Sequence, residues 1–347
     1  MPLVWANVFG LMRNNNGTVP VTSNEETIMR KKWLNALVLA TMASAAGAQD
    51  YPTKAINITV PNPPGGMNQI HAQPLSAVLE RMTKQPAPVV NRPGGTAAVG
   101  TAYVANQPPD GHNILVTTPN IYLALEKDKL YGIKSPYSLD QLALVALLSA
   151  DPLILVVHPS LPVKTVKELI ALANSKPNEL VYSSSGLYGI THVPTEMFLH
   201  AAKLKMRHLP TTGGGPAVTQ ALGGHSQLTV GGLAAVYPYI PSGKLRPIAS
   251  WGAKTSASLP KTPTLLSMGY DVEAYLWVGL FTTAGVPDPI FTKMRQLIGR
   301  VAADPAFKQA LENVQVVPDY RDAPEFKKFF DTDYKRMAAA VKTIGKL

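Results

Sequence analysis

A chain of 347 residues predicts two lobes, since domains run to roughly 100–200 residues, and its 46% apolar and 16% charged residues exclude a disordered polypeptide. The absence of cysteine excludes disulfide staples, thiolate metal sites and cysteine nucleophiles. The formal charge of +10 comes from side chains scattered along helices, such as Lys327, Lys328, Lys335 and Arg336, so nucleic acid, which needs a basic patch with aromatics between, is not an expected partner.

Near the start, Arg30, Lys31 and Lys32 precede an apolar run at 33–43 and the small residues Ala46, Gly47 and Ala48. This is the pattern of a secretory signal peptide, because the apolar run covers only about half of the ~20 residues that cross a bilayer. Cleavage is expected after Ala48, with 1–48 an upstream extension plus signal peptide and translation starting at Met29; a plain N-terminal extension at 1–28 is the alternative. Cleavage removes four basic residues (Arg13, Arg30, Lys31, Lys32) and two acidic ones (Glu25, Glu26), leaving +8 on a periplasmic protein.

From residue 56 onward, short apolar runs alternate with helical spacing. The run 56–60 reads as a strand, and Ile70, Leu75, Val78, Leu79 and Met82 as a helix face, in which Pro74 calls for a kink or a late start. Further strands are expected at 89–90, 114–116, 142–148, 153–157, 180–182, 227–230, 245–249 and 278–281. Several are apolar on both faces, as in largely parallel sheets covered by helices, so the expected class is α/β. Thr165 and Glu168 have capping-box spacing ahead of Leu169, Ile170 and Ala173, and Pro177 ends that helix. Pro324 opens a long helix whose Phe326, Phe330, Tyr334, Met337, Val341 and Ile344 form one stripe, read as core packing.

Four strand ends run into small or hydroxyl-rich turns that open helices. They are Pro63-Pro64-Gly65-Gly66; Thr117-Thr118-Pro119-Asn120; Ser183-Ser184-Ser185-Gly186 with Thr191 and His192; and Thr211-Thr212-Gly213-Gly214-Gly215 before Pro216. Glycine lets the backbone approach a ligand, and the free N–H groups of a helix start favour an anion. In α/β sheets ligands sit beyond the C-terminal strand ends, where such turns gather. One such turn is ordinary loop chemistry; four together point to an anion site. Phosphate-loop, dinucleotide, nucleophile-elbow and paired-histidine zinc motifs do not occur, so neither a cofactor nor a catalytic metal is expected.

The motifs Tyr51-Pro52-Thr53-Lys54, Val60-Pro61 leading to Pro64-Gly65-Gly66, Asn91-Arg92-Pro93-Gly94, Pro109-Asp110-Gly111, Val166-Lys167-Glu168-Leu169, Tyr182 through Gly186, and Gly243-Lys244-Leu245-Arg246 occur in order along the chain. On these residues the sequence resembles the Bug, or tripartite tricarboxylate, solute-receptor family. The resemblance implies a two-lobed periplasmic binding protein of the second class, each lobe a mixed, mostly parallel sheet flanked by helices. Chain crossings are implied near Ala150 and Tyr270, giving lobe 1 as 49–150 plus 271–347 and lobe 2 as 151–270. It also implies that a ligand carboxylate is held by N–H groups and hydroxyls. The candidate ligand-binding residues are Asn62, Pro64, Gly65, Gly66, Asn68, Gln69, Thr117, Thr118, Asn120, Ser183, Ser184, Ser185, Gly186, Thr191, His192, Thr211 and Gly231. Asn62 stands where the family has an aromatic residue, and Gln69 and Gly231 where it has acids, so a carboxylate without an amine is favoured. The implied function is a monomeric, non-enzymatic receptor that captures a di-, tri- or aromatic carboxylate for integral-membrane transporter subunits. The competing readings are a secreted hydrolase using a serine near Ser183 with His192, and a sensing module that reports to a signalling partner.

Overall fold

The computed structural model describes residues 51–347; the expected signal peptide, its cleavage site and the start at Met29 lie outside the described residues. The chain begins with a βα rhythm: β1 (Asn57–Val60), α1 (Met67–Thr83), β2 (Val89–Asn91), α2 (Ala98–Ala105), β3 (Asn113–Thr117) and α3 (Asn120–Tyr131). Ile58, Val60 and the whole of β3 are buried, and β1 pairs in parallel with β2 on one side and β3 on the other. Helix α1 starts at Met67 and continues past Pro74, so the expected late start is not how the proline is accommodated. Its buried face is His71, Ala72, Leu75, Val78 and Leu79, whereas Gln73, Pro74 and Ala77 look outward, so the carbonyl that loses its helical bond to Pro74 sits on the wetter side.

The expected strands at 142–148 and 153–157 are one strand, β4 (Leu142–Val157). The polar and imino residues Ser149, Asp151 and Pro152 hid its continuity. Next come α4 (Val166–Ser175), β5 (Val181–Ser184), α5 (Val193–Ala201), β6 (Arg207–Pro210), α6 (Gly214–Leu222), β7 (Leu228–Gly232), the short α7 (Leu233–Val236) and β8 (Arg246–Ser250). The chain ends with β9 (Tyr275–Thr283), α8 (Asp288–Ala303), α9 (Pro305–Glu312), β10 (Pro318–Asp322) and α10 (Ala323–Ile344). The capping box ahead of α4 is present: Glu168 N–H donates to Thr165 Oγ1 at 3.1 Å, and the Glu168 carboxylate accepts from Thr165 N–H at 3.2 Å.

Strand order is β2-β1-β3-β9-β4-β7-β5-β6, with β10 and β8 also on β4. The outer pairings are parallel, and each antiparallel pairing involves β4 or β9. Up to Pro152 the neighbours of β4 are β9 and β10; from Leu153 onward they are β7 and β8. Proline has no ladder N–H to lose where the partner changes.

Asp151 lies at this change-over and is 4% exposed. Its Oδ1 accepts a long bond from Val317 N–H, 3.4 Å, and its Oδ2 has no partner. Burial pushes its pKa up to about 7, with Asp319 adding to the rise and the Val317 and Ser149 donors opposing it. A carboxyl raised above its unfolded value favours the fold fully below about pH 4 and loses that contribution as pH climbs through 7. Asp151→Asn is therefore expected to match the parent near pH 4 and to be more stable by about 4 kcal/mol at pH 8, read from urea melts at the two pH values.

Candidate functional site

The four turns converge. A narrow cavity is lined by Asn62, Gly66, Met67 and Asn68 from the β1–α1 turn, Thr118 and Asn120 from the β3–α3 turn, and Ser185, Ile190 and Thr191 from the β5–α5 segment. Gly214 at the start of α6, Gly231 and Gly232 at the end of β7, and Ala235 and Leu276 complete it.

Close contacts hold the walls together. Asn120 Oδ1 accepts the Ile190 N–H at 2.8 Å, joining the head of α3 to the β5–α5 segment. On the far side, a Cβ placed on Gly215 would stand 3.1 Å from both Gly65 C and Pro64 O, and one on Gly213 would stand 3.0 Å from Pro63 Cδ. Glycine lets these two turns lie against each other without strain, where a Cβ would require the facing turn to give by a few tenths of an ångström. Thr96 Oγ1 also donates to Leu187 O, at 3.2 Å.

The donors are neutral. At the head of α1 the Gln69 and Ile70 N–H groups already donate to Gly66 O, at 3.0 and 3.2 Å, so the N–H groups of Met67 and Asn68 are the ones left without a helical acceptor. There the Asn68 amide donates to Asn62 Oδ1 at 2.6 Å while its own Oδ1, buried in the cavity wall, has no partner. Exchanging the ends of both amides keeps the bond and offers an N–H to the cavity instead, so this pair can present either polarity. Across the cavity, Ser185 N–H donates to Thr191 Oγ1 at 2.7 Å and the Thr191 hydroxyl donates to Ser185 Oγ at 3.0 Å. Both bonds use acceptors, which leaves the Ser185 hydroxyl proton free to donate to a ligand.

The remaining sequence candidates lie outside the cavity lining. Pro64 and Gly65 line an adjoining outer depression with Gly215, Pro216 and Tyr239. Gln69 Oε1 accepts from Asn91 Nδ2, which also donates to Asn62 O, so Gln69 and Asn91 brace the β1–α1 turn from behind. Thr117 is fully buried and its Oγ1 has no partner. Thr211 donates to Ser184 O and Gly213 O, both at 2.8 Å, tying the β6–α6 turn to β5. Gly186 passes close beneath it, where a Cβ would stand 3.3 Å from Thr211 O.

Ser183, Ser184 and His192 sit one layer deeper, each fully buried. Ser183 Oγ donates to Ala217 O and accepts from Ser226, and it has no bond to His192. His192 Nδ1 accepts the Tyr188 N–H at 3.0 Å, which puts the ring proton on Nε2. Its ring stacks on His208 at 4.0 Å. Burial, and secondarily His208, lowers the His192 pKa to about 3, so the ring is neutral and fixes the 186–191 segment. Ser184 Oγ pairs with His208 Nε2 at 2.6 Å, also behind the wall. The hydrolase reading, a serine near Ser183 with His192 as base, finds no support: Ser185 lines the cavity, but His192 lies outside the lining and its acceptor nitrogen is taken by the Tyr188 N–H.

Sequence reasoning missed Met67, Ile190, Gly232, Ala235 and Leu276, which carry no chemical signature, and the bracing pair Asn91 and His208. Gly214 lay within a recognised turn yet was not singled out as a contact.

The family described as tripartite tricarboxylate transporter family receptor matches residues 72–346. The chain belongs to this receptor family. Its members are solute-binding proteins, not enzymes. Protein BugT of Bordetella pertussis is 28% identical to the receptor over 311 residues, covering 89% of this chain and 95% of that protein. A solved structure of a periplasmic transporter is 28% identical with a TM-score of 0.78, covering 84% of this chain and 98% of its own. An R. palustris protein solved with adipate is 25% identical with a TM-score of 0.77, covering 85% and 99%. The fold is therefore that of a two-lobed periplasmic binding protein. Among the described residues no helix is long and apolar enough to cross a membrane.

Proposed function

We propose that the receptor captures a small carboxylate in the cavity between its two lobes, outside the cytoplasm, and delivers it to integral-membrane transporter subunits. The observation that carries this reading is the convergence of helix-start N–H groups, the Ser185 hydroxyl and the Asn62–Asn68 amide pair, which can turn an N–H inward, on one cavity that has no charged residue in its lining. Hydrogen bonds to a charged acceptor are roughly twice as strong as neutral ones, so such a set holds an anion without a cation. Family membership and the adipate-bound R. palustris relative support the ligand class and the transport partner. The change of partner along β4 at Leu153 supports lobe 1 as 49–150 plus 271–347 and lobe 2 as 151–270, with β4 as the first crossing.

A thermal-shift panel of mono-, di- and aromatic carboxylates tests the reading. An acid at 100 times its dissociation constant is expected to stabilise the receptor by about 2.7 kcal/mol. Thr191→Val removes the hydroxyl that holds Ser185 and is expected to weaken binding about tenfold, in line with one lost buried hydrogen bond of ~1.4 kcal/mol. Unchanged affinity in that variant would move the site elsewhere, and conversion of the acid to a product would replace binding with catalysis.

A further inference from the structure

We infer that the solute is a monocarboxylate whose remaining body is uncharged and apolar; this rests on the proposed carboxylate site and narrows it. The cavity is chemically divided. Its polar members, Asn62, Asn68, Thr118, Asn120, Ser185 and Thr191, come from the helix-opening turns. Its floor is hydrocarbon and bare backbone: a Cβ on Gly232 would meet Leu276 Cδ2 at 2.6 Å and Met67 Cγ at 3.2 Å, so these two side chains close over the end of β7. Met67 and Leu276 are each 5% exposed, and Ala235 borders the same floor.

The lining carries no lysine, arginine, histidine, aspartate or glutamate. One carboxylate can exchange its water for the polar cluster. A second carboxylate, or an ammonium, would have to lose its water against Met67, Leu276 and the β7 glycines and gain nothing. A hydrocarbon chain or an aromatic ring gains from the same surface by leaving water. Glycine at 231 lets α7 pack close to the end of β7, where a Cβ would lie 3.0 Å from Val236 Cγ1, so this end of the cavity is walled by hydrocarbon and backbone.

Isothermal titration of the full chain with matched acids tests the inference, using hexanoate against adipate, benzoate against benzene-1,4-dicarboxylate, and acetate as a probe without an apolar body. The monoacid of at least one pair is expected to bind at least tenfold more tightly than its diacid, and acetate at least tenfold more weakly than that monoacid. Diacids that bind as tightly as their monoacids would overturn the inference while leaving the carboxylate site standing. Acetate equal to the longer monoacids would also overturn it, since the floor then takes no part. Failure of every acid to bind would remove the carboxylate site together with the inference.

Discussion

Gly215→Val is expected to raise the dissociation constant of the captured acid about a hundredfold while changing unfolding stability by less than ~1 kcal/mol. The reason is geometric. A single added Cβ would already lie 3.1 Å from Gly65 C and Pro64 O, both backbone atoms that cannot rotate aside, and valine adds two methyl groups beyond it. The strain falls where the β1–α1 and β6–α6 turns touch; on the premise that the empty receptor parts these turns and the loaded one joins them, only the loaded form is strained. A hundredfold loss corresponds to ~2.7 kcal/mol against closure, within the 1–3 kcal/mol that overpacking costs. Gly214→Ala, one residue earlier, meets no atom within 4 Å and is expected to stay within about threefold of the parent. Titration of both variants decides it: equal affinities would mean that contact between these turns is no part of binding.

Asp333→Ala is expected to cost about 3–5 kcal/mol of stability, the largest loss of any single substitution considered. Asp333 lies inside the apolar stripe of α10 and is 2% exposed. Its Oδ2 accepts from Tyr122 Oη at 2.5 Å and from Trp277 Nε1 at 2.7 Å, and its Oδ1 pairs with the Arg336 guanidinium. Alanine leaves two buried donors without an acceptor and leaves Arg336 only its longer pair with Glu273, at 3.7 Å. The same contacts tie α10 to α3 and to β9, one residue along from Leu276 on the cavity floor. Urea unfolding should show a lower midpoint with an unchanged slope. A loss below ~1 kcal/mol would mean that water replaces the carboxylate without cost.

The sequence made legible the features that depend on local chemistry. The capping box at Thr165 and Glu168, the βα rhythm and the four turns require only neighbouring residues, and the turns supply Asn62, Gly66, Asn68, Thr118, Asn120, Ser185 and Thr191 to the cavity. Features set by tertiary placement stayed hidden. Strands β6 and β10 lie at edges, with the half-exposed sequences Arg-His-Leu-Pro and Pro-Asp-Tyr-Arg-Asp that show no apolar run. Met67 and Leu276 look like any core residue, and only the bare backbone of Gly232 turns them into a binding floor. Asp333 was invisible because its neighbours at helical spacing are aromatic, so the stripe reads as hydrophobic. His192 stands in a suggestive place for catalysis, yet the Tyr188 N–H occupies the nitrogen that a base would use.

The most direct test of a neutral grip on a carboxylate is a crystal structure of the receptor with the tightest-binding acid of the panel. Carboxylate oxygens are expected about 2.7–3.2 Å from the Ser185 hydroxyl and from N–H donors at the head of α1, with no lysine or arginine among the contacts. A carboxylate paired to a cationic side chain, or seated outside the cavity between Asn68 and Thr191, would contradict the account.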